Sequence, residues 1–132
     1  MKKTKIPKDK VNLILDLKKS GVSNIDVLNV IEKTDRSFFI DESLKKKSNL
    51  NIALPIDCGQ TISQPLIVGI MTQCLDLRKN LRVLEIGTGS GYHTYILSQL
   101  ARFVYTIERH KPLLFKSEKI FRKLNVSNIF SK

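Results

Sequence analysis

Three glycines at alternate positions, Gly87, Gly89 and Gly91, follow an acid, Glu85, and a second acid, Glu108, stands 21 residues after the first glycine. Glycine allows the backbone positive φ and leaves no Cβ between the main chain and a ligand. Thr88 and Ser90, between the glycines, add hydroxyls to the same turn. The spacing is G-x-G-x-G and not the G-x-G-x-x-G that cradles a dinucleotide pyrophosphate. A carboxylate two residues before the loop repels phosphate and suits a cation. A ligand with ammonium and sulfonium groups, such as S-adenosylmethionine, meets that condition. Glu108 lies where the tip of the next parallel strand offers a carboxylate to ribose hydroxyls.

These residues need a strand, a tight turn and a helix to hold them. Val83-Leu84-Glu85-Ile86 reads as a short buried strand, the glycines as the turn, and residues 92–100 as the helix, whose first N–H groups are free. Phe103-Val104-Tyr105-Thr106-Ile107 reads as a second strand ending in Glu108. Two strands, the glycine turn and two acids together resemble the first half of a class I S-adenosylmethionine-dependent methyltransferase. The fold expected is α/β: the N-terminal half of a Rossmann-like class I methyltransferase sheet, preceded by a helical preface.

Length and composition fit one domain. The chain has 132 residues, 42% of them hydrophobic, and no apolar run long enough to span a bilayer, so no membrane partner is expected. Cys58 and Cys74 form neither a metal set nor a disulfide framework, and no metal is expected. Two reduced thiols, and basic residues at the N-terminus with no apolar run behind them, point to the cytoplasm. The net charge of +11 invites a nucleic-acid reading. Much of the excess falls in residues 1–10 and 45–47, which read as solvated tail and loop, and no basic stretch is interleaved with aromatics, so no specific nucleic-acid partner is expected.

In chain order, residues 1–40 read as a basic tail and helical preface, and residues 41–132 as the cofactor-binding domain. A first helix over 9–20 ends at Gly21; a second, capped by Ser23, runs to about residue 33 and buries Ile25, Leu28 and Ile31. Phe38 and Phe39 read as core anchors. Residues 40–59 read as an irregular connection. Pro65 then opens a helix to about residue 77, with Ile67, Ile70, Met71, Cys74 and Leu75 on one face, and Ser63 or Gln64 available as its cap. Residues 111–124 read as a helix on the sheet, and 126–132 as the entry to a third strand. His93 reads as a solvent-facing helix residue rather than a base.

Gly59-Gln60-Thr61-Ile62-Ser63-Gln64-Pro65, followed by a helix and by the glycine motif, resembles the protein-L-isoaspartate O-methyltransferase family. Leu54-Pro55-Ile56, Val104-Tyr105-Thr106-Ile107-Glu108-Arg109 and Leu124-Asn125-Val126-Ser127-Asn128-Ile129 fit the same pattern, and the resemblance covers residues 25–132. It implies methyl transfer from S-adenosyl-L-methionine to the free carboxylate of L-isoaspartyl residues in damaged proteins or peptides, a protein-repair reaction. It also implies a substrate loop over 54–65, with Ser63 on the substrate side and Thr61 shaping the loop. Glu85, Gly87, Thr88, Gly89, Ser90, Gly91 and Glu108 would bind the cofactor. An ordinary helix cap is the alternative for Ser63, and the two roles are compatible. Asp57 and Cys58 depart from the small or aromatic residues more usual there.

A class I sheet has about seven strands, and this sequence supplies two and the start of a third. A truncated chain is therefore expected to bind cofactor weakly, to turn over little, and to expose a sheet edge open to self-association. Two alternatives stand beside the repair reading: a non-catalytic cofactor-domain remnant acting as an interaction module, and another class I methyltransferase, for instance one acting on RNA.

Overall fold

The computed structural model describes residues 6–132; the first five residues of the expected basic tail lie outside the described residues. Helix α1 (Lys8–Lys19) and helix α2 (Ile25–Lys33) are joined at Gly21, whose φ of +110° ends α1. Two 3-10 turns (Arg36–Phe39 and Glu42–Lys47) lead to a small antiparallel hairpin, β1 (Leu54–Pro55) and β2 (Thr61–Ile62), with Leu54 opposite Ile62. Helix α3 (Pro65–Cys74) follows, with Pro65 in its first turn. The remainder alternates strand and helix: β3 (Arg82–Ile86), α4 (Tyr92–Leu100), β4 (Phe103–Ile107), α5 (Lys111–Lys123) and β5 (Ile129–Ser131).

The three strands form one parallel sheet in the order β3-β4-β5, with Val83 paired to Val104 and Val104 to Ile129. Parallel strands need crossover connections, and α4 and α5 supply them. Val83 and Val104 pack with Leu97 and Ala101 beneath the sheet. A larger cluster joins α1 and α2 to Val68, Tyr92, Ile96 and Phe121, so packing runs continuously through residue 40.

The strand over 83–86 is not buried on both faces as its sequence suggests. Leu84 is 64% exposed and Ile86 74% exposed, and on the same face Tyr105 stacks on Phe130 at 5.3 Å with both rings partly open. A strand reads as a continuous apolar run when helices are expected on both sides. Here helices cover one side, and the edge of β3 away from β4 has no neighbour among the described residues.

Four other expectations change. Asn24, not Ser23, caps α2: its side chain accepts from the Val27 N–H at 3.1 Å, while Ser23 and Asn24 both donate their N–H to the Gln73 side chain. That shift turns Ile25 outward and buries Val27 with Leu28 and Ile31. Phe39 is buried but Phe38 lies at the surface under the Lys123 ammonium. Lys10 is not solvated tail; its Nζ donates to the carbonyls of Ile31 and Thr34 at 3.2 and 2.7 Å, placing a cation at the C-terminal end of α2.

Helix α3 turns the opposite way from its apolar pattern. Val68, Gly69 and Thr72 are buried, whereas Ile67, Met71, Cys74 and Leu75 are exposed. A Cβ at Gly69 would meet Val22 Cγ2 at 3.0 Å. The α1–α2 corner approaches so closely that only small side chains fit, leaving the larger ones to face an open cleft. Ser63 does not cap α3 with its side chain, and neither does Gln64; the Leu66 N–H is taken instead by the Asn51 side chain at 3.0 Å.

Candidate active site

The exposed side of α3, the C-terminal end of β3, the glycine turn and the β2 end of the hairpin enclose a cleft of about 580 Å³. Thr61 and Ser63 from the hairpin side line it together with Glu85, Gly87 and His93. Its volume suits a small organic ligand, and its walls are mostly apolar with a few polar groups, as such sites usually are. The hairpin and the glycine turn, separate in sequence, thus face one space.

Glu85 is the most elaborately held group in that space. Its Oε1 accepts from the Thr94 hydroxyl at 2.5 Å and from the Thr106 hydroxyl at 2.7 Å. Thr106 and Thr88 hydroxyls lie 2.6 Å apart. A hydroxyl has one proton, and Thr106 gives its own to Glu85, so Thr88 donates to Thr106. The line Thr88→Thr106→Glu85 ties the turn, β4 and β3 together, and Thr94 adds α4. Glu85 Oε2 has no protein partner among the described residues. Burial pushes the Glu85 carboxyl above its ordinary range, against the two threonine donors, and Glu108 adds to the rise.

The three glycines do different things. All have positive φ, at +93°, +55° and +85°. A Cβ at Gly87 would meet nothing within 4 Å, so that stretch of backbone is open to a ligand. Gly89 donates its N–H to Glu108 Oε2 at 2.7 Å and accepts from the Ser117 hydroxyl at 2.8 Å. Gly91 is closed: a Cβ there would lie 2.9 Å from the Phe121 ring and 3.2 Å from Ser117 Cβ. It lets α5 pack on the turn and does not line the cleft. Ser90 accepts the Tyr92 N–H at 3.2 Å and so helps start α4.

Glu108 follows β4 and stands just outside the cleft lining. Burial works against its charge, but the N–H groups of His110 and Gly89 outweigh it and hold the carboxyl below its ordinary range. It therefore stays ionised at neutral pH, latched across the turn.

On the hairpin side, Thr61 and Ser63 are exposed, and the Ser63 hydroxyl has no protein partner among the described residues. The Ser63 carbonyl accepts from Arg36 Nη2 at 3.1 Å. Asp57 meets Lys116 of α5 at 3.3 Å, and Cys58 takes a φ of +59° at the hairpin tip. His93 is not solvent-facing. Its Nε2 lies 2.9 Å from Thr72 Oγ1, and that hydroxyl donates to the Val68 carbonyl at 2.7 Å, so the ring N–H is on Nε2. Burial lowers the His93 pKa to about 4. The ring is neutral at physiological pH and makes a poor base.

Thr94, Thr106 and Arg36 were not among the residues singled out from sequence. Thr106 carried a faint signal, a polar residue on the inward face of β4 where Val104 is apolar. Arg36 carried none, since basic residues are common throughout this chain. Among the described residues no cluster of three or more His, Cys, Asp or Glu could hold a metal ion, and no helix is long and apolar enough to cross a membrane.

Comparison with known proteins bears on this arrangement. A family model described as protein-L-isoaspartate(D-aspartate) O-methyltransferase matches residues 8–132. A protein-L-isoaspartate O-methyltransferase of Rhodospirillum centenum is 52% identical over 120 residues, covering 91% of this chain and 54% of that protein. A solved protein-L-isoaspartate O-methyltransferase superposes with a TM-score of 0.82 at 24% identity over 93% of this chain and 41% of the other. A Plasmodium falciparum protein of that description, in complex with S-adenosyl-L-homocysteine, gives 0.79 at 24% identity over 96% and 63%. The chain spans about half the length of the curated relatives it matches. The match to the family model over nearly all of its length, with the half-identical relative, shows that this chain belongs to the protein-L-isoaspartate O-methyltransferase family.

Proposed function

We propose that the chain carries the cofactor-binding and acceptor-facing half of an enzyme that transfers a methyl group from S-adenosyl-L-methionine to the free carboxylate of L-isoaspartyl residues in damaged proteins. One observation supports this reading above the others. Among the described residues, Glu85 Oε2 and the Ser63 hydroxyl have no protein partner, and both face a cleft where a Cβ at Gly87 would meet nothing within 4 Å. An unpartnered carboxylate oxygen beside open backbone suits an ammonium group and disfavours a pyrophosphate.

The residues present fit the cofactor. Glu85 and the Gly87 carbonyl would hold its amino-acid end, the Gly87 N–H being given to the Ile107 carbonyl at 2.7 Å, with Thr88 keeping Glu85 in place from behind, and Gly89 and Ser90 shaping the turn. Glu108 would receive the ribose hydroxyls. Gly91 contributes by letting α5 support the turn. The chemistry supplied by the bound cofactor is an electrophilic methyl group. A carboxyl acceptor has a pKa near ~4 and is already a nucleophile at neutral pH, so no general base is required. The neutral His93 is compatible with that. What the protein must contribute is orientation and exclusion of water. Ser63 donates its hydroxyl to the acceptor carboxylate, Thr61 shapes the loop over it, and the apolar wall of Ile62, Met71 and Tyr92 keeps the cleft dry. The two free, exposed thiols, Cys58 and Cys74, favour a reducing compartment and support a cytoplasmic setting.

The test is a 15N NMR titration of the chain with S-adenosylmethionine, with ATP as control, followed by mass spectrometry of an isoaspartyl peptide and of an RNA incubated with the same mixture. Amide shifts centred on residues 85–93 and 108–110 with the sulfonium ligand, and methylation of the peptide alone, are expected. Binding weaker than micromolar and slow transfer are also expected of residues 1–132, because the edge of β3 beside the cleft has no neighbour among the described residues. Shifts produced by ATP and not by S-adenosylmethionine would overturn the proposal.

A further inference from the structure

Arg36 is the largest buried side chain that the proposed chemistry does not use. It is 1% exposed, and no carboxylate pairs with it among the described residues. A buried guanidinium without a counter-ion is costly unless its donors are met. Here backbone carbonyls meet those of Nη1 and Nη2. Nη1 donates to Ser48 and Leu50 at 3.3 and 3.4 Å, and Nη2 to Ile52 at 2.7 Å and to Ser63 at 3.1 Å. Nε has no partner among the described residues, and the Tyr92 ring centroid lies 5.8 Å from Cζ.

The partners divide into two groups. Three belong to the irregular turn at 48–52, and the fourth is the residue that carries the free hydroxyl in the cleft. The planar fork spans both at once, which a lysine ammonium on one point could not do. Asn51 reinforces the same joint: its carbonyl accepts from Gln64 Nε2 at 3.0 Å, and its side chain accepts the Leu66 N–H. Ser63 and the residues just after it, Gln64 and Leu66, are thereby fixed to one turn, while the hairpin tip at Cys58 and Gly59 stands free of that joint.

We infer that Arg36 is a positioning residue for the methyl acceptor: by clamping the Ser63 carbonyl to the turn at 48–52, it sets the Ser63 hydroxyl in the cleft that holds Glu85. The role rests on the reading of Ser63 as the acceptor-side donor. Arg36 touches neither ligand and acts through Ser63.

The experiment uses Arg36→Lys, Ser63→Ala and the double variant, with Asn51→Ala as a milder lesion of the same joint should Arg36→Lys fail to fold. Hydrogen exchange is followed by mass spectrometry, and binding of a fluorescent isoaspartyl peptide and of S-adenosylhomocysteine by titration. Loss of a charge-assisted hydrogen bond predicts exchange over residues 60–66 faster by about tenfold or more, with residues 82–86 unchanged. Peptide affinity should fall by about tenfold while S-adenosylhomocysteine affinity stays within about twofold, and in the Ser63→Ala background Arg36→Lys should cause no further loss. Equal losses in both backgrounds, or equal losses for both ligands, would show a general effect on folding and overturn the assignment. Unchanged exchange at 60–66 with normal peptide binding would overturn the clamp alone. Failure of the unaltered chain to bind the peptide would overturn the acceptor reading, and with it the role drawn for Arg36.

Discussion

Replacing Gly87 and Gly91 by alanine, one at a time, separates ligand access from packing. Both residues have left-handed φ, +93° and +85°, so alanine at either position carries a backbone penalty of about 1–2 kcal/mol. That penalty is common to both and drops out of the comparison. The surroundings differ. At Gly87 the new methyl meets nothing within 4 Å, whereas at Gly91 it lands 2.9 Å from Phe121 Cε1 and Cζ. Phe121 is buried and Ser117 holds the Gly89 carbonyl, so neither neighbour can move away cheaply. Overpacking of this kind costs about 1–3 kcal/mol. Gly91→Ala is therefore expected to destabilise by about 2–5 kcal/mol, the sum of those two ranges, and Gly87→Ala by about 1–2 kcal/mol. Urea unfolding followed by circular dichroism measures both, with the midpoint shift read at constant slope. Titration with S-adenosylhomocysteine should show the reverse order, with Gly87→Ala losing binding while it keeps most of its stability. Equal destabilisation by the two variants would refute the division of labour within the turn.

Other outcomes follow from single groups. Glu85→Gln should leave neutral-pH stability unchanged or improve it, because the raised Glu85 pKa means that its ionised form opposes folding above the ordinary carboxylate range; the gain should vanish as pH falls below that range, while ligand-induced amide shifts disappear at all pH values. His93 has a folded pKa of about 4 against an ordinary 6.5, so its neutral form favours folding above pH 6.5 and that contribution is lost as pH falls through 4. NMR titration of the ring should show no protonation near pH 6, and a midpoint there would sink the reading. Tyr92 Oη is buried without a partner among the described residues, and burial pushes its pKa up to about 12. Tyr92→Phe is expected to be neutral or to stabilise by up to about 1–3 kcal/mol in thermal unfolding. For residues 1–132 alone, self-association through the edge of β3 that has no neighbour among the described residues should appear in analytical ultracentrifugation and be weakened by Leu84→Lys; a monomer at every concentration would refute it.

The fold was legible where local pattern and tertiary demand agree. The helix at Tyr92–Leu100 and the strand at Phe103–Ile107 lie where alternation and the glycine turn put them. Legibility failed where a partner chosen at long range decides orientation. Periodicity gave α3 an apolar face but could not tell that the α1–α2 corner approaches Gly69 too closely for large side chains. It likewise gave Val83-Leu84-Glu85-Ile86 as a buried strand, because sequence reports the capacity to be covered and not the cover itself. At the site, glycine spacing marked the turn, yet the three positions are chemically alike in sequence, and only the place of Phe121 distinguishes Gly91 from Gly87.

The same contrast explains why acids were easier to find than the residues that hold them. A carboxylate beside a glycine turn is conspicuous by type and spacing. The hydroxyls that aim it come from 88, 94 and 106, on three different elements, and each alone is an ordinary threonine. Thr94 and Thr106 converge on one Glu85 oxygen, with Thr88 behind Thr106, and the other oxygen has no partner among the described residues; this asymmetry gives Glu85 a ligand-facing side. Arg36 repeats the pattern on the hairpin side, where a cation from one turn satisfies carbonyls from two others and leaves the Ser63 hydroxyl free. In both cases the residue facing the cleft keeps one hydrogen-bonding group unused while another of its polar atoms, Glu85 Oε1 or the Ser63 carbonyl, is held by buried neighbours. Removing a holder should therefore lower affinity without removing any group that touches the ligand, a loss that inspection of the cleft lining would not anticipate.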